Sequence, residues 1–323
     1  MGRNRIHNED LFTTAANENF KKHIKTQSKQ ALEIIKERID WQNLLEPVEK
    51  RIEQTKTRKS NAGKPSFDLL VIVRCFLLQR IYGLSDPRLE EEIADRRSFQ
   101  LFLELSSADA IPDETTICRY REQFARLGLD KILFRQFNKQ LEKLGLIVGK
   151  GTLVDATIKQ AQAKPGSKRD KDADFTRKRG KKYYGYKGHI GTDSENNIIH
   201  SVEFTKASVH DTNVFSDLIT EKENAIFADK GYTNKARKSN MRGKGVYCGI
   251  LDKGYRNRNL TSKQIKRNKQ LSKVRNAVER PFAFMKQVLD YDRCSYYDVD
   301  RNRFEFVIAA WVYNIRRMVT LTT

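Results

Sequence analysis

Gly151-Thr-Leu-Val-Asp-Ala-Thr157 is where this chain changes character. Upstream, apolar residues recur mainly at helical spacing. From here they gather in short β-branched runs bounded by turn residues, which predicts strands. Further runs stand at 186–191, 198–204, Ala225–Ala228 and 246–251, with a turn over 192–197. Between them, 210–219 has the pattern of a crossover helix, and 262–290 is mostly helical. Phe304, Val307, Ile308, Trp311, Ile315 and Met318 fall on one helical stripe, which predicts a last helix packed on the sheet as core. Strands and helices in this order predict an α/β fold, a mixed sheet flanked by helices.

The part before Gly151 reads as helical. Residues 19–39 form a charged helix, 40–45 a short apolar plug, and 55–65 a basic joint containing Gly and Pro. An apolar core helix over 67–82 is stopped by Gly83. Ser85 is an N-cap with Pro87 in the first turn and the acids Glu90, Glu91 and Glu92 near the positive helix end. Asp113 caps a further helix that runs to Leu127 and stops at Gly128. This arrangement suits a helix-turn-helix reader of DNA or a plain helical bundle, and the pattern does not choose between them. The expected division is an all-helical N-terminal region, 1–148, followed by an α/β domain, 149–323.

The 62 Lys and Arg against 41 Asp and Glu give a net charge of +21. Such a surplus repels itself in a compact chain, so a polyanionic partner is the natural explanation. No run approaches the roughly 20 apolar residues that span a bilayer. The longest, 69–78, is interrupted by Arg74. The polar start lacks a signal-peptide centre, and Ile6 stands where the myristoylation pattern wants Ser or Thr. The expected place is therefore the cytoplasm, with no membrane. Cys75, Cys118, Cys248 and Cys294 are too scattered for a zinc site and read as buried free thiols. Segment 164–187 carries ten basic residues against three acids, interleaved with Tyr183, Tyr184 and Tyr186. Segment 252–275 carries nine against one. Either run can be a solvated face, but basic and aromatic residues together suit contact with phosphates and bases.

Three acids stand in unusual settings. Asp155 follows the apolar Leu153-Val154. Asp229 ends the run Ala225-Ile-Phe-Ala228 and opens Lys230-Gly-Tyr232. Glu279 lies on a helix whose apolar face is marked by Val274, Val278, Phe282 and Met285. A carboxylate at a sheet end is costly to bury unless a cation or a donor meets it. Three that converge would be an oxygen-ligand site for Mg²⁺. Taken singly, each has a plain reading: a strand-end turn residue, the opening of a turn, a surface helical charge. Spacing alone does not establish convergence.

These residues, in this order, resemble the DDE transposases of bacterial insertion sequences, in particular the insertion-sequence-five branch. The likeness runs from about residue 40 onward. It rests on Ile39-Asp-Trp41, Leu77-Leu-Gln-Arg-Ile-Tyr-Gly-Leu-Ser-Asp-Pro87 and Ile111-Pro-Asp-Glu-Thr-Thr-Ile117, then on Leu153-Val-Asp-Ala-Thr157, Tyr186-Lys-Gly-His-Ile-Gly-Thr-Asp193 and Ala228-Asp-Lys-Gly-Tyr232. The most specific feature surrounds Glu279: the family's Arg four positions before and Lys seven after are matched by Arg275 and Lys286. Its Tyr three residues before that Arg is replaced by Ser272.

The resemblance implies an RNase H-like fold, with the first Asp on the first strand, the second just after the fourth and the Glu on a late helix. It implies that Asp155, Asp229 and Glu279 hold two Mg²⁺ ions, which Mn²⁺ can replace. DNA cleavage would free a 3′-OH that then attacks target DNA. Arg275 and Lys286 would grip phosphates, with Lys178, Arg179, Lys181 and Lys182 as further DNA contacts. Partners would be terminal inverted repeats, target DNA and a second copy of the chain, in the cytoplasm at the nucleoid. Arg275 also reads as a helical partner of Glu279, and Lys286 as a solvated charge. His210 reads as a helix cap, His189 and His200 as core or rim residues, and Lys230 and Tyr232 as candidates to line the cleft. Two rivals share these features: a nuclease with the same core that never joins DNA, and a DNA-binding regulator without catalysis.

Overall fold

The computed structural model describes residues 27–55, 66–106, 108–166, 168–178, 180–220, 223–255 and 258–322. The chain groups into two units, one ending at Phe124 and the other spanning Ala125–Leu321. This division comes earlier than the change from helix to strand near residue 150.

The first unit is helical: α1 (Gln27–Arg38), α2 (Trp41–Thr55), α3 (Leu69–Tyr82), α4 (Asp86–Asp95), α5 (Arg97–Leu103) and most of α6 (Glu114–Leu127). The first part of the expected 19–39 helix, and the joint beyond Thr55, lie outside the described residues. Local signals set several ends. The Asp68 carboxylate accepts the Leu70 N–H, and Gly83, at φ 64°, closes α3 in the left-handed region that a Cβ disfavours. Ser85 accepts from Arg88 at the start of α4, with Pro87 in its first turn. Asp113 accepts from the Thr116 N–H at 2.6 Å. The expected plug at 40–45 is instead the first turn of α2, which continues through Pro47 to bury Trp41, Leu44, Leu45 and Val48. Arg74 is buried within α3. Its guanidinium stacks 4.5 Å over Trp41, donates to the Phe102 carbonyl at 2.9 Å and pairs with Glu104 at 3.1 Å.

In the second unit, Gly128 (φ 65°) ends α6 where the sequence placed its stop, and α7 (Leu129–Lys143) follows, a helix not singled out in the sequence. Six strands follow: β1 (Thr152–Gln160), β2 (Asp174–Lys178), β3 (Lys181–Asp193), β4 (Ile199–Lys206), β5 (Ala225–Ala228) and β6 (Tyr247–Ile250). The sheet order is β2-β3-β1-β5-β6, with β4 also paired to β3. β3 runs antiparallel to β1, β2 and β4, while β1, β5 and β6 are mutually parallel. With the short β2 set aside, the order β4-β3-β1-β5-β6 is an RNase H-like mixed sheet, and β5 is its fourth strand. β2 was hidden in a run of charge.

Helices cover both faces. On one, Val154, Ile226, Ala228 and Ile250 pack with Val214, Phe215 and Leu218 from the crossover, Tyr232, and Met241 of α9 (Lys235–Gly243). The crossover is α8 (Asp211–Val214) and a 3₁₀ turn (Phe215–Leu218). On the other face lies α12 (Val299–Thr322), whose expected stripe is fully buried. Gly188 lets α12 approach: a Cβ there would meet the Phe306 ring at 2.3 Å. Asn314 of α12 accepts the Ile199 N–H at 2.9 Å and donates to its carbonyl at 2.7 Å, holding the helix against the end of β4. Of the four free cysteines, Cys75 and Cys294 are buried as expected, but Cys118 is exposed, and Cys248, on the edge strand β6, is half-buried against the core. Among the described residues, no helix is long and apolar enough to cross a membrane.

Candidate active site

Two of the three acids are brought together by the sheet itself. β1 and β5 are parallel neighbours in which Val154 pairs with Ala228. One residue further on, Asp155 and Asp229 stand side by side where the strands part. Asp155 Oδ1 accepts the Ala156 N–H at 2.9 Å, and Asp229 Oδ1 accepts the Lys230 N–H at 2.7 Å, which fixes one oxygen of each carboxylate. Burial pushes the Asp155 pKa up, and the Asp229 charge adds to that. The Arg275 guanidinium, the Ala156 N–H and the Lys178 ammonium pull the other way.

Glu279 arrives on α11 (Glu279–Gln287), after α10 (Ser262–Arg275) and an intervening 3₁₀ turn (Asn276–Val278). Val278, Phe282 and Met285 anchor this segment, whereas Val274, expected on the same apolar face, is 42% exposed because the 3₁₀ turn changes the helical phase. The Glu279 carboxylate does not join the two aspartates. Arg275 stands between them, donating to Asp155 Oδ2 at 3.1 Å through Nη1 and to Glu279 Oε1 at 3.5 Å through Nη2. Among the described residues, no three His, Cys, Asp or Glu side chains close into a group able to hold one metal ion. The third carboxylate is therefore one guanidinium away from the pair.

A second acidic feature borders the pair. His210 caps α8 as expected, accepting from Thr212. Asp211 pairs with Lys187 at 2.9 Å, and that ammonium also donates to the Val209 carbonyl. Tyr232, one 3₁₀ turn after Asp229, is buried, and its hydroxyl feels the charges of Asp211, Asp155 and Asp229, which add to burial in holding it protonated. The sequence points to Tyr232 only as a candidate for the cleft, and to Asp211 only through its helix cap.

The basic candidates lie at different distances from this centre. Lys178 is close enough for its charge to act on Asp155. Lys181 and Lys182 are exposed on the β2–β3 hairpin, with the Lys182 ammonium 3.8 Å over the Phe175 ring. Lys286 pairs with Asp292 at 2.8 Å on the surface. Arg179 lies outside the described residues. His189 is buried against Thr205, and His200 is held between Thr152 and Ser201.

The chemistry of the two paired aspartates fits a divalent cation, while the present place of Glu279 leaves the set of three open. The donors are carboxylate oxygens, the ligands that hard cations prefer. Asp155 and Asp229 already need a counter-charge, which Arg275 provides for Asp155.

The sequence matches a family described as Transposase DDE domain over residues 148–315. It matches a second, described as Transposase domain, over residues 18–123. Among solved structures, the cryo-EM structure of a piggyBac transposase synaptic complex with hairpin DNA is similar at a TM-score of 0.41 and 11% identity. The match covers 89% of this chain and 73% of that one.

Proposed function

Because the chain belongs to the Transposase DDE domain family and is a metal-dependent DNA transposase, we propose that it binds the inverted repeats ending its element, cuts there to free a 3′-OH, and joins that end to target DNA. The order of motifs along the chain favours the insertion-sequence-five branch. In the cut, a water oxygen bonds to phosphorus and the 3′ oxygen of the element leaves as a hydroxyl. In the joining step, that hydroxyl attacks a target phosphodiester and the target's own 3′ oxygen leaves.

Asp155 and Asp229 would hold two Mg²⁺ ions, or Mn²⁺, with Glu279 completing the set. Bound there, the cations activate the attacking oxygen and stabilise charge on the departing one. The observation that carries this reading is the placing of Asp155, within β1, beside Asp229, just past the end of β5, with Glu279 tied to Asp155 through Arg275. For Glu279 to reach the cations, Arg275 must leave Asp155, and a phosphate of the bound DNA is the partner it would take. Lys286 would do the same on release from Asp292, while Lys178, Arg179, Lys181 and Lys182 hold flanking DNA. Region 1–148 would read the element's ends and bring two copies of the chain together, with 149–323 carrying the chemistry, in the cytoplasm at the nucleoid.

The test uses labelled inverted-repeat duplex and a target plasmid with Mg²⁺ or Mn²⁺. Joined product is expected from the native chain; hydrolysis without joining would favour the nuclease reading. Asp229→Asn should abolish cutting while DNA affinity stays within about twofold, since the side chain keeps its volume and the many phosphate contacts elsewhere are untouched. Undiminished cutting by that variant would remove Asp229 from the chemistry.

A further inference from the structure

We propose that the Tyr232 hydroxyl is a positioning group for the paired aspartates: once their free oxygens turn to admit a divalent cation, its O–H donates to a carboxylate oxygen of Asp155 or Asp229, or to a water they hold, and fixes the pair's orientation toward that cation. The inference rests on reading Asp155 and Asp229 as the cation's ligands.

A set of contacts fixes where Tyr232 sits. Its N–H donates to the Asp229 carbonyl at 3.0 Å, so the residue is locked one turn beyond the second aspartate. The Thr212 hydroxyl donates to the Gly231 carbonyl at 3.0 Å, tying that turn to α8. Arg237 of α9 donates to the Tyr232 carbonyl at 2.7 Å and to the Thr212 carbonyl at 2.9 Å. The same guanidinium lies 3.9 Å over Phe215, whose ring centre is 5.8 Å from that of Tyr232. The ring therefore cannot drift, and it is only 1% exposed.

The hydroxyl at the end of this fixed ring has no hydrogen-bond partner among the described residues. A buried, unpaired hydroxyl is a cost that phenylalanine would avoid in the same apolar pocket. Three carboxylates, Asp211, Asp155 and Asp229, lie in its electrostatic surroundings, and all three favour its protonated form. It can therefore donate, and acceptors are the groups nearby. Asp211 is already engaged by Lys187 at 2.9 Å. Asp155 and Asp229 are the pair whose second oxygens must turn to admit a cation, and a donor outside the ligand set is what commonly fixes such a turn.

The experiment compares the full native chain with Tyr232→Phe and Asp229→Asn, without DNA, by calorimetric titration with Mn²⁺ and by thermal denaturation of the metal-free proteins. Tyr232→Phe should keep or raise the metal-free Tm, because it removes only an unpaired hydroxyl, and should weaken Mn²⁺ binding about tenfold or more. In DNA cutting, kcat should fall while KM for DNA holds. Unchanged Mn²⁺ affinity in Tyr232→Phe, with binding lost in Asp229→Asn, would overturn the role given to the hydroxyl alone. Full Mn²⁺ binding in Asp229→Asn would instead remove the cation site on which it rests. A lowered metal-free Tm for Tyr232→Phe would show that the hydroxyl already has a structural partner, and would also overturn the proposal.

Discussion

The guanidinium of Arg275 holds Asp155 at 3.1 Å and Glu279 at 3.5 Å, so it occupies ground that a divalent cation would claim. Both Arg275 and Asp155 are largely buried, so the contact is screened less than a surface pair. Removing one partner of a fully buried pair costs about 3–5 kcal/mol, and the partial exposure here reduces that to about 1–2 kcal/mol. Arg275→Ala should therefore lower the metal-free Tm, and Mn²⁺ should raise the variant's Tm by more than the native chain's, since the ion then meets no competitor. An equal Mn²⁺ shift in both proteins would mean that Arg275 and the cation do not contend for the same place. Asp155 and Asp229 stand out in the sequence because each ends a short apolar run, but either reads singly as a turn residue, and only the parallel pairing of β1 with β5 puts them side by side. The Arg275–Asp155 contact is not legible there, for it joins residues 120 positions apart and depends on the kink between α10 and α11. Nor is the Tyr232 hydroxyl, since a Tyr in a turn gives no sign of whether its oxygen is paired.

Elements with strong punctuation are the legible ones. Gly83, Ser85 and Asp113 each mark an end by a local backbone or side-chain requirement, so α3, α4 and α6 follow from residues next to one another. The start of α2 is obscured by Pro47, which tertiary packing of Trp41 and Leu44 overrides. The strands show the same division: β5 follows from four apolar residues, whereas β2 has only alternation within a basic run. Pairing also creates properties that no single strand announces. β3 and β4 enclose His189, and β1 and β4 hold His200, whose burial brings both imidazoles from 6.5 down to about 4. A base with a depressed folded pKa is held neutral by the fold, so its contribution is complete above 6.5 and is lost as pH falls from 6.5 toward 4. Each can remove up to about 3 kcal/mol across that window. Urea denaturation at pH 7.5, 5.5 and 4.5 should show the decline, and His189→Gln should flatten it. A slope unaltered by that substitution would assign the acid lability elsewhere.

At the scale of the whole molecule, a charge of +21 has to be reconciled with a stable fold, and the β2–β3 hairpin shows where the repulsion is concentrated. Across this ladder Lys178 lies opposite Lys181, and Arg177 opposite Lys182. Like charges directly opposite on neighbouring strands destabilise the pairing, and here two such pairs are adjacent at the exposed end. Aromatic contact offsets part of this, with Phe175 and Tyr184 paired at 4.9 Å between ring centres and Lys182 over the Phe175 face. A phosphate backbone would offset more, because each phosphate met by a lysine releases a condensed counterion. Replacing Lys178, Lys181 and Lys182 together by Ala should reduce the slope of log K against log salt by roughly 0.9 for each phosphate no longer neutralised, hence by about 2–3 if all three engage DNA. The triple variant should also be at least as stable as the native chain without DNA, since it removes repulsion between side chains that face solvent. These two effects have opposite signs, which makes the combination specific: a hairpin that merely faces solvent would gain stability with an unchanged salt slope, and that result would take the DNA from this face of the molecule.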